Sequence, residues 1–183
     1  MALKLELLVY IALSIQAHLV KSQSKCDRSI IENIYAYWSR CGPPSDLLST
    51  LSSCDKVNEI GTTSCFYPEE VKCVSYTIID SYASVTVTYE DRDDEHFTEI
   101  LQETEPGILY EKETGSKIYV IFFTEGIFAT YICSDTAPEG KPVGIISAIH
   151  GNEINQEYVH IAEGILELVD ERLSIEDWKS CDC

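Results

Sequence analysis

The feature that most constrains this chain is a run of alternation in its middle. Val74, Tyr76 and Ile78 alternate with Ser75 and Thr77. After a turn near Ser81, Val85, Val87 and Tyr89 alternate with Ser84, Thr86 and Thr88. Period two in valine, isoleucine, threonine and tyrosine predicts strands with one apolar face. A charged loop, Glu90 to Glu95, follows, and then "HFTEILQETE" and "GILYEKETG". The strongest pair, "SKIYVIFFTE" and "GIFATYICSD", is joined at Glu125 and Gly126. The turn cluster "TAPEGKP" leads to a last apolar run, "VGIISAIHG". Short strands at this spacing, joined by hairpin turns, predict an antiparallel barrel or sandwich.

Past Gly151 the period changes. Ile154, Tyr158, Ile161, Ile165, Leu168, Val169 and Leu173 fall at helical spacing with acids between them, which predicts an amphipathic helix over 152–172 packed on something apolar. A sheet with an apolar inner face closes on itself to remove its edges, and the helix then covers part of the outer wall. That accounts for "KIYVIFF" and "GIISAI" being apolar on both faces while "SVTVTYE" alternates.

The N-terminus reads as a cleaved secretory signal over residues 1–22: Lys4, an apolar stretch from Leu7 to Val20, then the small residues Ser22 and Ser24. That stretch is shorter than the roughly 20 residues a membrane span needs. The remainder, residues 23–183, is the size of one domain. All eight cysteines follow the signal: Cys26, Cys41, Cys54, Cys65, Cys73, Cys133, Cys181 and Cys183. An even set in a secreted chain implies disulfides, and no free thiol is expected. CxC at 181–183 sits at the terminus and no CxxC occurs, so no metal is expected. The segment 26–70 is rich in cysteine and turns. It is left as either a barrel strand plus a loop or a separate cysteine-rich segment.

A net charge of −18 opposes binding to nucleic acid and to anionic membranes. Beyond the signal the histidines are His96, His150 and His160, none within a catalytic motif. His96 follows the acid run "EDRDDE" and reads as a solvated loop residue, and the run lacks the glycine-bearing pattern of a calcium loop. Neither enzymatic activity nor a cofactor is expected.

At "VKCVSYTI" the chain resembles the lipocalin family, whose second strand carries a cysteine ahead of an inward-apolar run. Ala36-Tyr37-Trp38 resembles the family's first-strand G-x-W signature, and the departures from it are similar to those of secreted arthropod lipocalins. The resemblance implies an all-β fold: an antiparallel up-and-down eight-stranded barrel with a C-terminal α-helix on its outside. It also implies a bridge from Cys26 to Cys133 and one from Cys73 to Cys181 or Cys183. The interval from Trp38 to Cys73, with three further cysteines, then supplies a stapled loop over the mouth.

The function implied is that of a secreted, monomeric carrier or scavenger of a small hydrophobic or amphipathic ligand, such as a biogenic amine or lipid mediator. The expected cavity lining is Val74, Tyr76, Ile78, Val85, Val87 and Tyr89, followed by Tyr119, Ile121, Phe123, Phe128, Thr130 and Ile132. For a cationic ligand an inward carboxylate is required, with Glu99, Asp80 and Glu111 as candidates. Two other readings stay open: a secreted inhibitor binding a protein target through its surface, and a disulfide-rich protein without a ligand cavity.

Overall fold

A computed structural model describes residues 24–54, 56–63, 66–151 and 154–179. Residues 1–22, read from the sequence as a signal, and Cys65, Cys181 and Cys183 lie outside these described residues.

Eight antiparallel strands form the wall. They are β1 (Val57–Thr62), β2 (Val71–Ile79), β3 (Tyr82–Tyr89), β4 (Glu95–Glu105), β5 (Ile108–Glu111), β6 (Ser116–Thr124), β7 (Ile127–Ser134) and β8 (Val143–Ile149). Each pairs with its sequence neighbour, and β8 pairs with β1, which pairs with β2, so the sheet closes. Closure leaves no long free edge. A two-residue strand, β9 (Asp177–Trp178), runs along β1 at Gly61 and Thr62, where β1 has parted from β2. Gly61 permits this: a Cβ there would stand 2.8 Å from the Ile175 side chain and 3.0 Å from the Trp178 ring.

Helix α1 (Arg28–Cys41) stands where the sequence reading placed a first strand, so Ala36-Tyr37-Trp38 is helical and not a strand signature. Its cause is local. The Asp27 side chain caps the helix by accepting from the Ser29 N–H at 2.9 Å. Ile30, Ile34 and Trp38, each four residues after the last, form its buried stripe. The Trp38 ring lies against Gly107 in the β4–β5 turn, and its Nε1–H donates to the Ile121 carbonyl at 3.3 Å. A short helix, α2 (Leu47–Ser52), follows and inserts Leu47 and Leu51 into one end of the barrel.

Helix α3 (Gln156–Val169) is capped by Asn155, whose side chain accepts from the Glu157 N–H at 2.9 Å. It packs on the outside of the barrel, as expected, but its buried stripe is rotated from the one read off the sequence. Val159, Ala162, Leu166 and Val169 are buried, whereas Ile161 is 41% and Leu168 72% exposed. The buried stripe and α1 share one core with Tyr119, Ile121, Tyr131 and Ile146 on the outer faces of β6, β7 and β8. This second core is why those strands are apolar on both faces.

Cys26 is bonded to Cys133, which ties the chain ahead of α1 to β7. Cys73 is also disulfide-bonded, and the sulfur it joins lies outside the described residues. Cys41 and Cys54 are free thiols, against the expectation that every cysteine is paired. Each is occupied locally: Cys41 hydrogen-bonds the Tyr37 side chain one turn back, and the Cys54 Sγ donates to the Thr50 carbonyl at 3.3 Å. Cys41 ends α1 and Cys54 precedes β1, so both stand at the α2 end of the barrel and staple nothing over the mouth.

Candidate functional site

The barrel encloses a cavity of about 950 Å³. Its floor is the α2 end, where Leu47 and Leu51 meet Ile78, Leu101, Leu109 and Phe128. Its mouth lies at the other end, between the turns after β1, β3, β5 and β7. The turn after β1 bends two rings over the cavity, Phe66 and Tyr67, with centroids 4.4 Å apart.

The register of the strands decides which expected residues face inward. Val74, Tyr76 and Ile78 pair with Val87, Val85 and Ala83, and all six line the cavity. Tyr89 continues this row to the rim, where Arg92 stacks 3.5 Å over its ring and its hydroxyl donates to Glu95 at 2.9 Å. Tyr89 packs with the inward valines but is not part of the cavity wall. Phe128, Thr130 and Ile132 line the wall as expected.

On β6 the expected parity is inverted. Ile118 and Val120 face the cavity, while Tyr119 and Ile121 pack outward under the helices. A register shift between Val120 and Phe122 then returns Phe123 to the inside, where it stacks on Phe128 at 4.7 Å, below the cavity. With apolar residues on both faces of β6, alternation carried no information about which face was inner. The bulge changes the parity within the strand.

The three candidate carboxylates separate cleanly. Asp80 sits exposed in the β2–β3 turn with φ of 56° and does not face the cavity. Glu111 lines the cavity and is buried, but it ties the β5–β6 turn. It accepts from the Glu113 and Thr114 N–H groups at 2.7 Å each and from the Thr114 hydroxyl. Glu99 on β4 faces the cavity. Its carboxyl is pushed up to about 7, first by burial and then by the charges of Glu111, Glu59 and Glu113.

The sequence reading missed Glu59. It stands on β1 beside Val74 of β2 and Ser147 of β8, and it is only 8% exposed. The Tyr67 hydroxyl donates to it at 2.5 Å, linking the turn over the mouth to the barrel wall. Burial pushes this carboxyl up to about 7, with the Tyr67 hydrogen bond acting the other way. Tyr76 completes the group: its hydroxyl donates to Ser147 at 3.3 Å, and burial followed by the charge of Glu59 raises its pKa. No lysine or arginine lies among the described residues lining the cavity. His96 is on β4 rather than in a loop, exposed, with its Nδ1 hydrogen-bonded to the Thr86 hydroxyl at 3.0 Å.

A closed antiparallel eight-stranded barrel, with a helix on its outside and a cavity open at one end, is the lipocalin fold. Comparison with solved structures shows the same fold. Apocrustacyanin C1 superposes with a TM-score of 0.54 at 14% identity, over 87% of this chain and 91% of its own. Lobster apocrustacyanin A1 gives 0.53 at 14% identity, over 86% and 91%. The siderocalin Ex-FABP, described as functioning through dual ligand specificities, gives 0.51 at 9% identity, over 71% and 97%. The sequence itself matches no protein-family model and no curated protein.

Proposed function

We propose that this protein is a secreted carrier or scavenger that takes a small amphipathic ligand with a cationic head into its barrel. The observation that carries the reading is the cavity itself. Its walls are valine, isoleucine, leucine and phenylalanine, and its charge is acidic, from the buried Glu59 and the half-buried Glu99, with no lysine or arginine on the described lining. Apolar walls with a few placed polar groups favour a ligand that is mostly apolar. Buried carboxylates select the sign of its head, because an anionic head would meet repulsion in a low-dielectric site. The rings of Phe66, Tyr67 and Tyr76 add flat surface suited to holding a cation or an aromatic body. The Cys26–Cys133 disulfide suits an oxidising compartment and supports the secreted reading.

The reading is tested by displacement. The protein is loaded with a fluorescent apolar probe and titrated with an alkyl amine, the matching alcohol and the matching carboxylic acid. The amine should displace the probe at the lowest concentration and the acid at the highest. The acid displacing best would overturn the choice of a cation, and displacement by none of the three would overturn the carrier reading.

A further inference from the structure

We propose that the outer face of α3 is a docking surface for a basic amphipathic helix of another protein, which crosses it at Gly164. The surface lies outside the barrel and is independent of the cavity and its ligand.

The first observation is the repeat along the helix. Val159, Ala162, Leu166 and Val169 follow one another at intervals of three, four and three, and this stripe is buried against the barrel. Tyr158, Ile161, Ile165 and Leu168 repeat the same intervals one residue earlier. One residue is about 100° of turn, so the second stripe lies beside the first, toward solvent. Tyr158 and Ile165 rest on the margin of the outer core, while Ile161 and Leu168 stand clear of it. Ile154, just ahead of the Asn155 cap, is 42% exposed and adds to the apolar surface at that end. Single apolar residues scattered on a surface need no explanation, whereas a three-four repeat over about three turns is the seam that one helix offers another.

Gly164 is the second observation. It stands inside α3, where glycine weakens a helix relative to alanine. Nothing in the chain calls for it: beyond the helix itself, a Cβ there would meet no heavy atom within 4 Å, and the residue is exposed. Gly61 and Gly107 differ, since a Cβ at either would stand 2.8 Å or 2.7 Å from a side chain. Gly164 falls three residues after Ile161 and four before Leu168, beside the outer stripe. A bare backbone at that point lets a second helix approach closely.

Charge selects the occupant. From Gln156 to Val169 the helix carries Glu157, Glu163 and Glu167, with His160 and no lysine or arginine. A helix that lies on an anionic membrane needs lysine and arginine along its polar face. A second copy of this chain would set its own glutamates beside these, and like charges flanking a helix pair oppose it. A partner helix with leucine or isoleucine at the matching intervals, and lysine or arginine beside them, complements both the stripe and its acid border.

The experiment is fluorescence anisotropy of labelled peptides titrated with the full mature chain. The first peptide is a helix of about three heptads with leucine at a and d and lysine at e and g. The second has the same composition in scrambled order, and the third has glutamate in place of each lysine. The first should bind in the micromolar range, and each of the others at least ~10-fold more weakly. Leu168→Asp and Gly164→Leu should each weaken the first peptide at least ~10-fold. Melting curves should leave Leu168→Asp near wild type and Gly164→Leu at or above it, so that lost binding is not lost folding. The added charge of Leu168→Asp would strengthen a purely electrostatic attraction, which separates that from docking on the stripe. Failure of the first peptide to bind, equal binding of the scrambled peptide, or undiminished binding by either variant overturns the proposal. So does sedimentation of wild type as a dimer that Leu168→Asp dissolves, which would give the face to a second copy.

Discussion

At the scale of single residues, Glu59 and Glu99 are the groups on which the account turns, and they make a prediction about the protein without ligand. Both titrate near 7 in the fold and have an ordinary value of 4.5. Between those values the folded chain binds more protons than the unfolded chain, so stability falls as pH rises. Melting temperature should therefore decline from about pH 5 to about pH 8, opposite to the trend that salt-bridged carboxylates produce. Asp27, held below its ordinary value by hydrogen bonds from Ser29 and then Arg172, and Asp170, held down by Arg172, act only below about pH 4, where protonation removes their contribution. Glu99→Gln should raise the melting temperature at pH 8 and flatten the decline. A melting temperature that climbs across this window would contradict the burial assigned to both groups.

Neither residue was equally legible. Glu99 sits in a strand that alternates weakly, and it was readable as a candidate only because a cationic ligand would need an inward acid. Glu59 lies in "VNEIGT", where an acid occupies an inward position and breaks the apolar alternation that marks a strand. A functional residue inside an apolar cavity is by its nature a violation of the pattern used to find the cavity.

At the scale of elements, α3 is the clearest case of a pattern that says "helix" and misassigns the face. Its sequence carries apolar residues on more than one face, and the stripe read from spacing mixes the exposed Ile161 and Leu168 with the buried Val169. What selects the inner stripe is size: Ala162, fully buried, stands on the same face as Leu166 against the barrel. Leu166→Ala should cost about 2–5 kcal/mol, since Leu166 is fully buried, while Leu168→Ala should change stability by less than about 0.5 kcal/mol. Chemical denaturation of the two variants measures both. Equal losses would mean that the helix presents its other face to the wall.

The alternation of β2 and β3 was read correctly because one of their faces is polar, so that inward and outward differ in chemistry. β6 was not, because the helices make its outer face as apolar as its inner one, and because its bulge lies between Val120 and Phe122, in a run of apolar residues that read alike. Helix α1 was missed for a different reason. Cysteines and turn residues flank it and Ala36-Tyr37-Trp38 resembles a strand signature, although Ile30, Ile34 and Trp38 carry helical spacing.

At the scale of the whole molecule, the fold is held by two cores that share one sheet: the lined cavity inside, and the packed layer between the wall and the helices outside. This division lets a barrel keep open volume without losing stability, because the outer layer supplies the packing that the cavity gives up. The Cys26–Cys133 bridge anchors that outer layer by joining the segment before α1 to β7. Replacing both cysteines with alanine should cost about 2–5 kcal/mol, read as a lower melting temperature, with the ligand affinity of the folded barrel kept. Loss of affinity at temperatures where the variant is folded would place the bridge in the site.

The measurement that tests the central claim most directly compares Val87→Trp with Thr86→Trp. Val87 lines the cavity, and Thr86, next to it on β3, points to the outside. A cavity of about 950 Å³ has room for an indole, so Val87→Trp should abolish binding of a fluorescent alkylamine and leave the melting temperature nearly unchanged. Thr86→Trp should alter neither. If Val87→Trp lowers stability by the 1–3 kcal/mol typical of overpacking, roughly, and wild type never binds the amine, the interior is a packed core and the carrier account is wrong.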